Sequence, residues 1–131
     1  MRKKLTIVVA LAAAAVVAAA TISSAFASPT SVALDCGAAQ KANGISGLTY
    51  GSEGWVETDN TPSNGCYNLY AAGEVLLGNG TWVDLNGYWL GGYAGPLILP
   101  YYGDVVHTSG VNNACNYANT VCAGYTDTSA P

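Results

Sequence analysis

The stretch EVLLGNGTWVDLNGYWLGGY, residues Glu74 to Tyr93, decides how this chain folds. Three runs of aliphatic and aromatic residues, Glu74–Leu77, Thr81–Leu85 and Tyr88–Tyr93, are divided by Gly78-Asn79-Gly80 and by Asn86-Gly87. Asn-Gly tolerates the two positive φ angles of a type I′ turn, so the second divider reads as a hairpin. That hairpin pairs Leu85 with Tyr88, Asp84 with Trp89 and Val83 with Leu90. The first divider allows two registers. A three-residue loop with Gly80 in a bulge pairs Leu77 with Thr81 and Val75 with Val83; a two-residue Asn79-Gly80 turn shifts the pairing by one and flips a whole face. The first register gathers Val75, Leu77, Val83, Leu85, Leu90 and Tyr88 on one face, the expected core. Leu76, Trp82, Trp89, Glu74 and Asp84 then share the opposite face. Glu74 directly across from Asp84 is an unfavourable like-charge pair, the kind of local conflict that sequences keep at functional sites.

Outside this stretch the chain is punctuated by Gly and Asn, with further short strands expected at Gly47–Tyr50, Trp55–Thr58, Tyr67–Ala71, Leu97–Leu99 and Asp104–His107. Cys36 to Asn43, rich in Ala, is the one segment that suits a short helix, stopped by Gly44. Residues 28–35 read as a loose lead-in, Thr58 to Gly65 as a loop, and the polar tail after Cys122 as frayed. The expected fold class is all-β. It is a small disulfide-stapled antiparallel meander, centred on Tyr67 to about His107, that forms a sandwich or a partly open barrel.

Arg2, Lys3 and Lys4 precede the apolar run Ile7 to Ala20, and Ala25-Phe26-Ala27 follows as a small-x-small cleavage site. Residues 1–27 therefore read as a secretory signal peptide and 28–131 as a single secreted β domain. Removing 27 of 131 residues leaves 104, in which Lys41 is the sole Lys or Arg against eight carboxylates, a net charge of −7. One cation cannot neutralise a phosphate backbone, which excludes nucleic acid as a partner. The apolar run is shorter than the roughly 20 residues of a membrane span, so no membrane association is expected after cleavage.

Cys36, Cys66, Cys115 and Cys122 all fall after the leader, and four Cys in an exported chain imply two disulfides. Three connectivities are possible. Closure between sequence neighbours, Cys36–Cys66 and Cys115–Cys122, is the simplest. No C-x-x-C pair accompanies the single His107, so neither a metal site nor a cofactor is expected.

The acidic–aromatic face is the candidate ligand-binding surface. Trp82 and Trp89 offer flat, weakly hydrated rings on which sugar C–H faces stack, and Asp84 and Glu74 can accept hydroxyl hydrogen bonds. The competing reading buries both Trp rings under a second sheet. The same two carboxylates could in principle serve glycoside hydrolysis or hold Ca²⁺. A chain of this size rarely builds the cleft a hydrolase needs, however, and a solvated acidic surface is the plainer account. Asp104 lies three residues from His107, on the opposite face of a strand, so no Asp–His pair follows. No catalytic residues are assigned.

Cys36-Gly37, Asn64-Gly65-Cys66, Tyr93-Ala94-Gly95-Pro96 and two later Cys, behind an Ala-rich leader, resemble the pattern of small spore-associated secreted proteins of actinomycetes. The resemblance implies an exported, disulfide-bonded bacterial β protein and transfers no activity. The expected function is a secreted, non-enzymatic binding or envelope-associated protein whose partner is an extracellular polysaccharide or protein. The alternative is a secreted protease inhibitor or toxin-like antagonist, presenting the small Cys115–Cys122 ring as a constrained loop.

Overall fold

A computed structural model describes residues 28–61 and 64–131; the expected signal peptide, residues 1–27, lies outside the described residues, as do Pro62 and Ser63. Nine strands and no helix occur among the described residues: β1 (Ser31–Asp35), β2 (Lys41–Thr49), β3 (Glu53–Asn60), β4 (Asn68–Leu77), β5 (Trp82–Asp84), β6 (Tyr88–Leu90), β7 (Leu97–Tyr102), β8 (Val105–Cys115) and β9 (Thr126–Ala130). They form two antiparallel sheets. The first has the order β1-β2-β3-β7; the second has the order β5-β4-β8-β9, with β6 also pairing β4. The all-β, antiparallel fold class is as expected, and the two unclosed sheets face one another as a sandwich.

The strands form where inward and outward positions alternate, the period-2 pattern of a sheet with one buried face. Along β3, Gly54, Val56 and Thr58 are buried, while Trp55, Glu57 and Asp59 lie between them on the outer side. Along β4, Leu69, Ala71 and Val75 point in, and along β7 so do Leu97 and Leu99. A register shift opposite Leu76 and Leu77 lets both Val105 and Thr108 of β8 face the core. Bulges re-aim side chains in this way.

The core is narrow and partly polar. Thr58, Asn112, Thr128, Ser46 and Thr108 are buried among Leu34, Val56, Leu69, Val75, Leu97 and Val105. Four of the five polar side chains form a continuous hydrogen-bonded path between the sheets. Asn112 Nδ2 donates to Thr58 Oγ1 at 2.8 Å and to the Glu57 carbonyl at 2.7 Å, and Thr58 Oγ1 passes its own proton to the Tyr70 carbonyl at 2.7 Å. On the other side Thr128 Oγ1 donates to Asn112 Oδ1, so the 2.7 Å contact between Ser46 and Thr128 must have Ser46 as its donor. Gly44 makes the room: a Cβ there would sit 2.5 Å from Asn112 Cβ.

The hairpin between β4 and β5 has the expected register, with Val75 opposite Val83, Leu76 opposite Trp82 and Glu74 opposite Asp84. Gly80 takes φ +86° in the three-residue loop. The Asn86-Gly87 hairpin does not form. Only Asn86 has positive φ, at 55°, and the Leu85 N–H donates to the Gly73 carbonyl at 2.9 Å. The chain therefore carries on along the same edge of β4, where β6 pairs Tyr70 with Trp89 and Leu69 with Leu90. Tyr88, expected in the core, is 49% exposed at this edge, whereas Leu85 and Leu90 pack against the core and Val75 is fully buried.

Four further expectations are corrected. Cys36–Asn43 is not helical: Gly37, Ala38 and Ala39 turn with positive φ, and β2 starts at Lys41 because Ala42, Gly44 and Ser46 are buried on alternate positions. Residues 28–35 are not loose, since Ser31–Asp35 pairs with β2. The tail is not frayed; β9 pairs with β8, buries Thr128 and Ala130, and ties back through the Ser129 N–H to the Pro29 carbonyl at 2.9 Å. Finally, the strand expected at Asp104–His107 starts at Val105 and continues to Cys115 as the eleven-residue β8.

The disulfides are Cys36–Cys66 and Cys115–Cys122, the pairing between sequence neighbours. The first joins the turn between β1 and β2 to the segment entering β4, so it staples one sheet to the other. The two bridges fit an extracellular protein. No helix of the described residues is long and apolar enough to cross a membrane.

Candidate functional site

The outer face of the second sheet carries all four residues singled out in the sequence, as the register requires. They do not form one platform. Trp82 stands opposite Leu76 and Trp89 opposite Tyr70, six residues apart on β4, which separates the two indoles by about 20 Å at the rise of an extended strand. Neither is buried beneath the other sheet: Trp89 is 42% exposed and Trp82 half-buried on the outer side. Glu74 and Asp84 face each other between them, and Asp84 Oδ1 accepts the Asn86 N–H at 2.8 Å, closing the turn into β6. Trp82 meets His107 edge to face at 6.0 Å. Burial holds the His107 imidazole below its ordinary pKa of 6.5.

Trp89 belongs instead to a groove of about 570 Å³ at the far end of the sheet. Its indole lies 5.0 Å from the Tyr70 ring, and Tyr70 meets Tyr125 edge to face at 5.2 Å, so Tyr70 backs the two rings, Trp89 and Tyr125, that form the aromatic wall of the groove. The floor is built from Asn68, Asn113, Asn119 and the Cys115–Cys122 disulfide. Local chemistry fixes each part. Gly124, at φ +91°, lets the chain leave the disulfide ring and present Tyr125. Asn113 Oδ1 accepts the N–H groups of Ala114 and Gly124 at 2.8 and 3.0 Å, which leaves its Nδ2 uncommitted by these contacts. Asn68 Nδ2 donates to the Asn116 carbonyl at 3.1 Å and to Asn119 Oδ1 at 2.9 Å, which docks the ring on β4 and again leaves an amide Nδ2 unspent, that of Asn119. Within the ring, Asn116 Oδ1 accepts from Thr120 and Val121.

The chain matches no family model, no curated protein and no solved structure. The site is therefore read from its own chemistry. No carboxylate and no ammonium group lines the groove. An aromatic wall over amide donors suits a ligand with apolar C–H faces and uncharged oxygen acceptors. Among the described residues, no three His, Cys, Asp or Glu side chains lie together as a metal site would need. Thr58 to Asn60, expected to open a loop, instead end β3, and Asn60 is committed to the protein itself, accepting the Cys66 N–H and donating to the Cys66 and Ala94 carbonyls.

Sequence reasoning missed Tyr70, Tyr125, Asn68, Asn113 and Asn119. Tyr70 was within reach, since it alternates in phase with Glu74 and Leu76 along one strand. Tyr125 and Asn119 were not, because their position depends on how the disulfide ring docks.

Proposed function

We propose that this protein is a non-catalytic extracellular binding protein that holds uncharged polysaccharide in the groove between Trp89, Tyr125 and the asparagine floor. The observation that carries this reading is the pairing of exposed aromatic rings with unspent amide donors in a groove without ionised side chains. Sugar rings stack their C–H faces on indole and phenol surfaces, while their hydroxyl and carbonyl oxygens accept from amides. A non-catalytic role is supported by the position of Glu74 and Asp84, the carboxylate pair that faces across β4 and β5 and lies outside the lining of this groove. Secretion by the leader and residence at the cell envelope or spore surface complete the proposal, and the two disulfides are compatible with them.

A glycan array spanning neutral, acidic and amino sugars tests the reading. Retention confined to neutral glycans supports it; preference for acidic or free amino sugars, or no retention at all, refutes it.

A further inference from the structure

The outer face of the first sheet carries a different chemistry. Glu53, Trp55, Glu57 and Asp59 project from β3 on one side, and Tyr102, Pro100 and Ile98 of β7 stand opposite the first three. A groove of about 450 Å³ runs between Glu53, Trp55, Ile98, Pro100 and Tyr102. Its apolar parts are open, with Tyr102 73% and Ile98 43% exposed. The Trp55 indole packs against Gly47, where an added Cβ would come within 2.1 Å of the ring, so the absence of a side chain there makes room for it. Burial, and secondarily the negative charge of Asp59, raise the Glu57 carboxyl above its ordinary pKa. Lys41, the sole Lys or Arg among the described residues, is already engaged by Asp35 at 2.6 Å, so it leaves this acidic stripe uncompensated.

We propose that this face docks a cationic polypeptide segment, whose apolar side chains enter the groove over Trp55 while its Lys or Arg side chains reach Glu53 and Glu57. The occupant follows from complementarity. Aliphatic walls at Ile98 and Pro100 suit apolar side chains, and carboxylates without a compensating cation favour a charged partner over an uncharged sugar. Carboxylates flanking an indole attract cations both by charge and through the ring face. The partner lies across the sheet and does not extend it. Pro100 fits the ladder only with its missing N–H turned away from β3, which puts a gap in the free edge of β7 where an added strand would need a donor. This surface is independent of the Trp89 groove and stands or falls separately.

Fluorescence anisotropy with three labelled probes tests it: a Lys–Leu–Pro repeat peptide, its Glu–Leu–Pro counterpart and an oligolysine of equal charge. The Lys–Leu–Pro peptide binds best, and Trp55→Ala weakens it at least about tenfold. Tyr102→Ser, at a position too exposed to affect folding, weakens it in the same direction. Glu53→Gln with Glu57→Gln reduces affinity and flattens its salt dependence, and Trp89→Ala changes nothing. Equal binding of oligolysine or of the Glu–Leu–Pro peptide overturns the proposal, as does unchanged binding by Tyr102→Ser. Loss of neutral-polysaccharide retention in Tyr102→Ser, with peptide binding intact, reassigns the face to sugar and also overturns it.

Discussion

Asn112 Oδ1 accepts a 2.7 Å hydrogen bond from Thr128 Oγ1 at the centre of the sandwich, where neither residue reaches solvent. The contact fastens the last strand to β8 and is the middle link between Ser46 and the Tyr70 carbonyl. A buried polar path of this kind has value only while every member is satisfied, because a stranded acceptor bears the full cost of desolvation.

Thr128→Val removes the donor and leaves Asn112 Oδ1 buried without one. The expected loss is about 1–3 kcal/mol, read from urea unfolding midpoints at constant slope. Thr108 supplies the contrast. Its Oγ1 is buried and has no hydrogen-bond partner among the described residues, so Thr108→Val keeps the shape, removes an unsatisfied hydroxyl and is neutral or stabilising. The same substitution is therefore costly at Thr128 and not at Thr108, and equal losses at both positions would show that the path contributes nothing specific.

The two disulfides differ in what they enclose. Cys36–Cys66 spans 30 residues and Cys115–Cys122 spans 7. Loop-closure entropy then assigns about 3.6 kcal/mol to the first and about 2.4 kcal/mol to the second. Replacing Cys36 and Cys66 by Ala should lower stability more than replacing Cys115 and Cys122. Cys122 is also exposed, while Cys36 and Cys66 are fully buried. Limited reduction followed by alkylation and mass spectrometry should label the small ring first; early labelling of Cys36 would contradict this.

How much of this was legible in the sequence depended on whether the deciding contacts were local. The β4–β5 register followed from Gly78-Asn79-Gly80 and the alternation on either side, both contained within a dozen residues. Asn86-Gly87 misled because a dipeptide that permits a tight turn does not require one; the free edge of β4 offered Leu85 a partner in Gly73 and the strand continued. The greater part of β8 was hidden because Ser109, Gly110, Asn112 and Asn113 look like loop residues until the polar path that buries Asn112 is known. The site divided the same way. Alternation and the β4–β5 register group Glu74, Leu76, Trp82 and Asp84 on one face. The expected Asp84–Trp89 pairing that would add Trp89 to them does not form; Trp89 reaches that face opposite Tyr70 because β6 docks on β4. The groove itself needs the disulfide ring and Gly124 to bring Tyr125 beside Tyr70.

Acidification should act through His107. Burial depresses its folded pKa below 6.5, so the unfolded chain takes up a proton at a higher pH than the folded one. Stability from the neutral imidazole is complete above 6.5 and is lost as pH falls from there through the lower folded value. Thermal midpoints measured from pH 7.5 downward should show this decline, and His107→Gln should flatten it. An unchanged slope in the variant would assign the acid sensitivity to other groups.

The central claim is that the groove at Trp89 binds uncharged polysaccharide, and affinity electrophoresis through gels cast with neutral glucan, mannan or soluble chitin derivatives tests it most directly. Trp89 lies on the outer face and 42% exposed, so Trp89→Ala leaves the core intact. The wild-type protein should be retarded in at least one neutral gel, and Trp89→Ala and Tyr125→Ala should migrate as they do without polysaccharide. Equal retardation of wild type and Trp89→Ala, or free migration of the wild type in every neutral gel, would contradict the account.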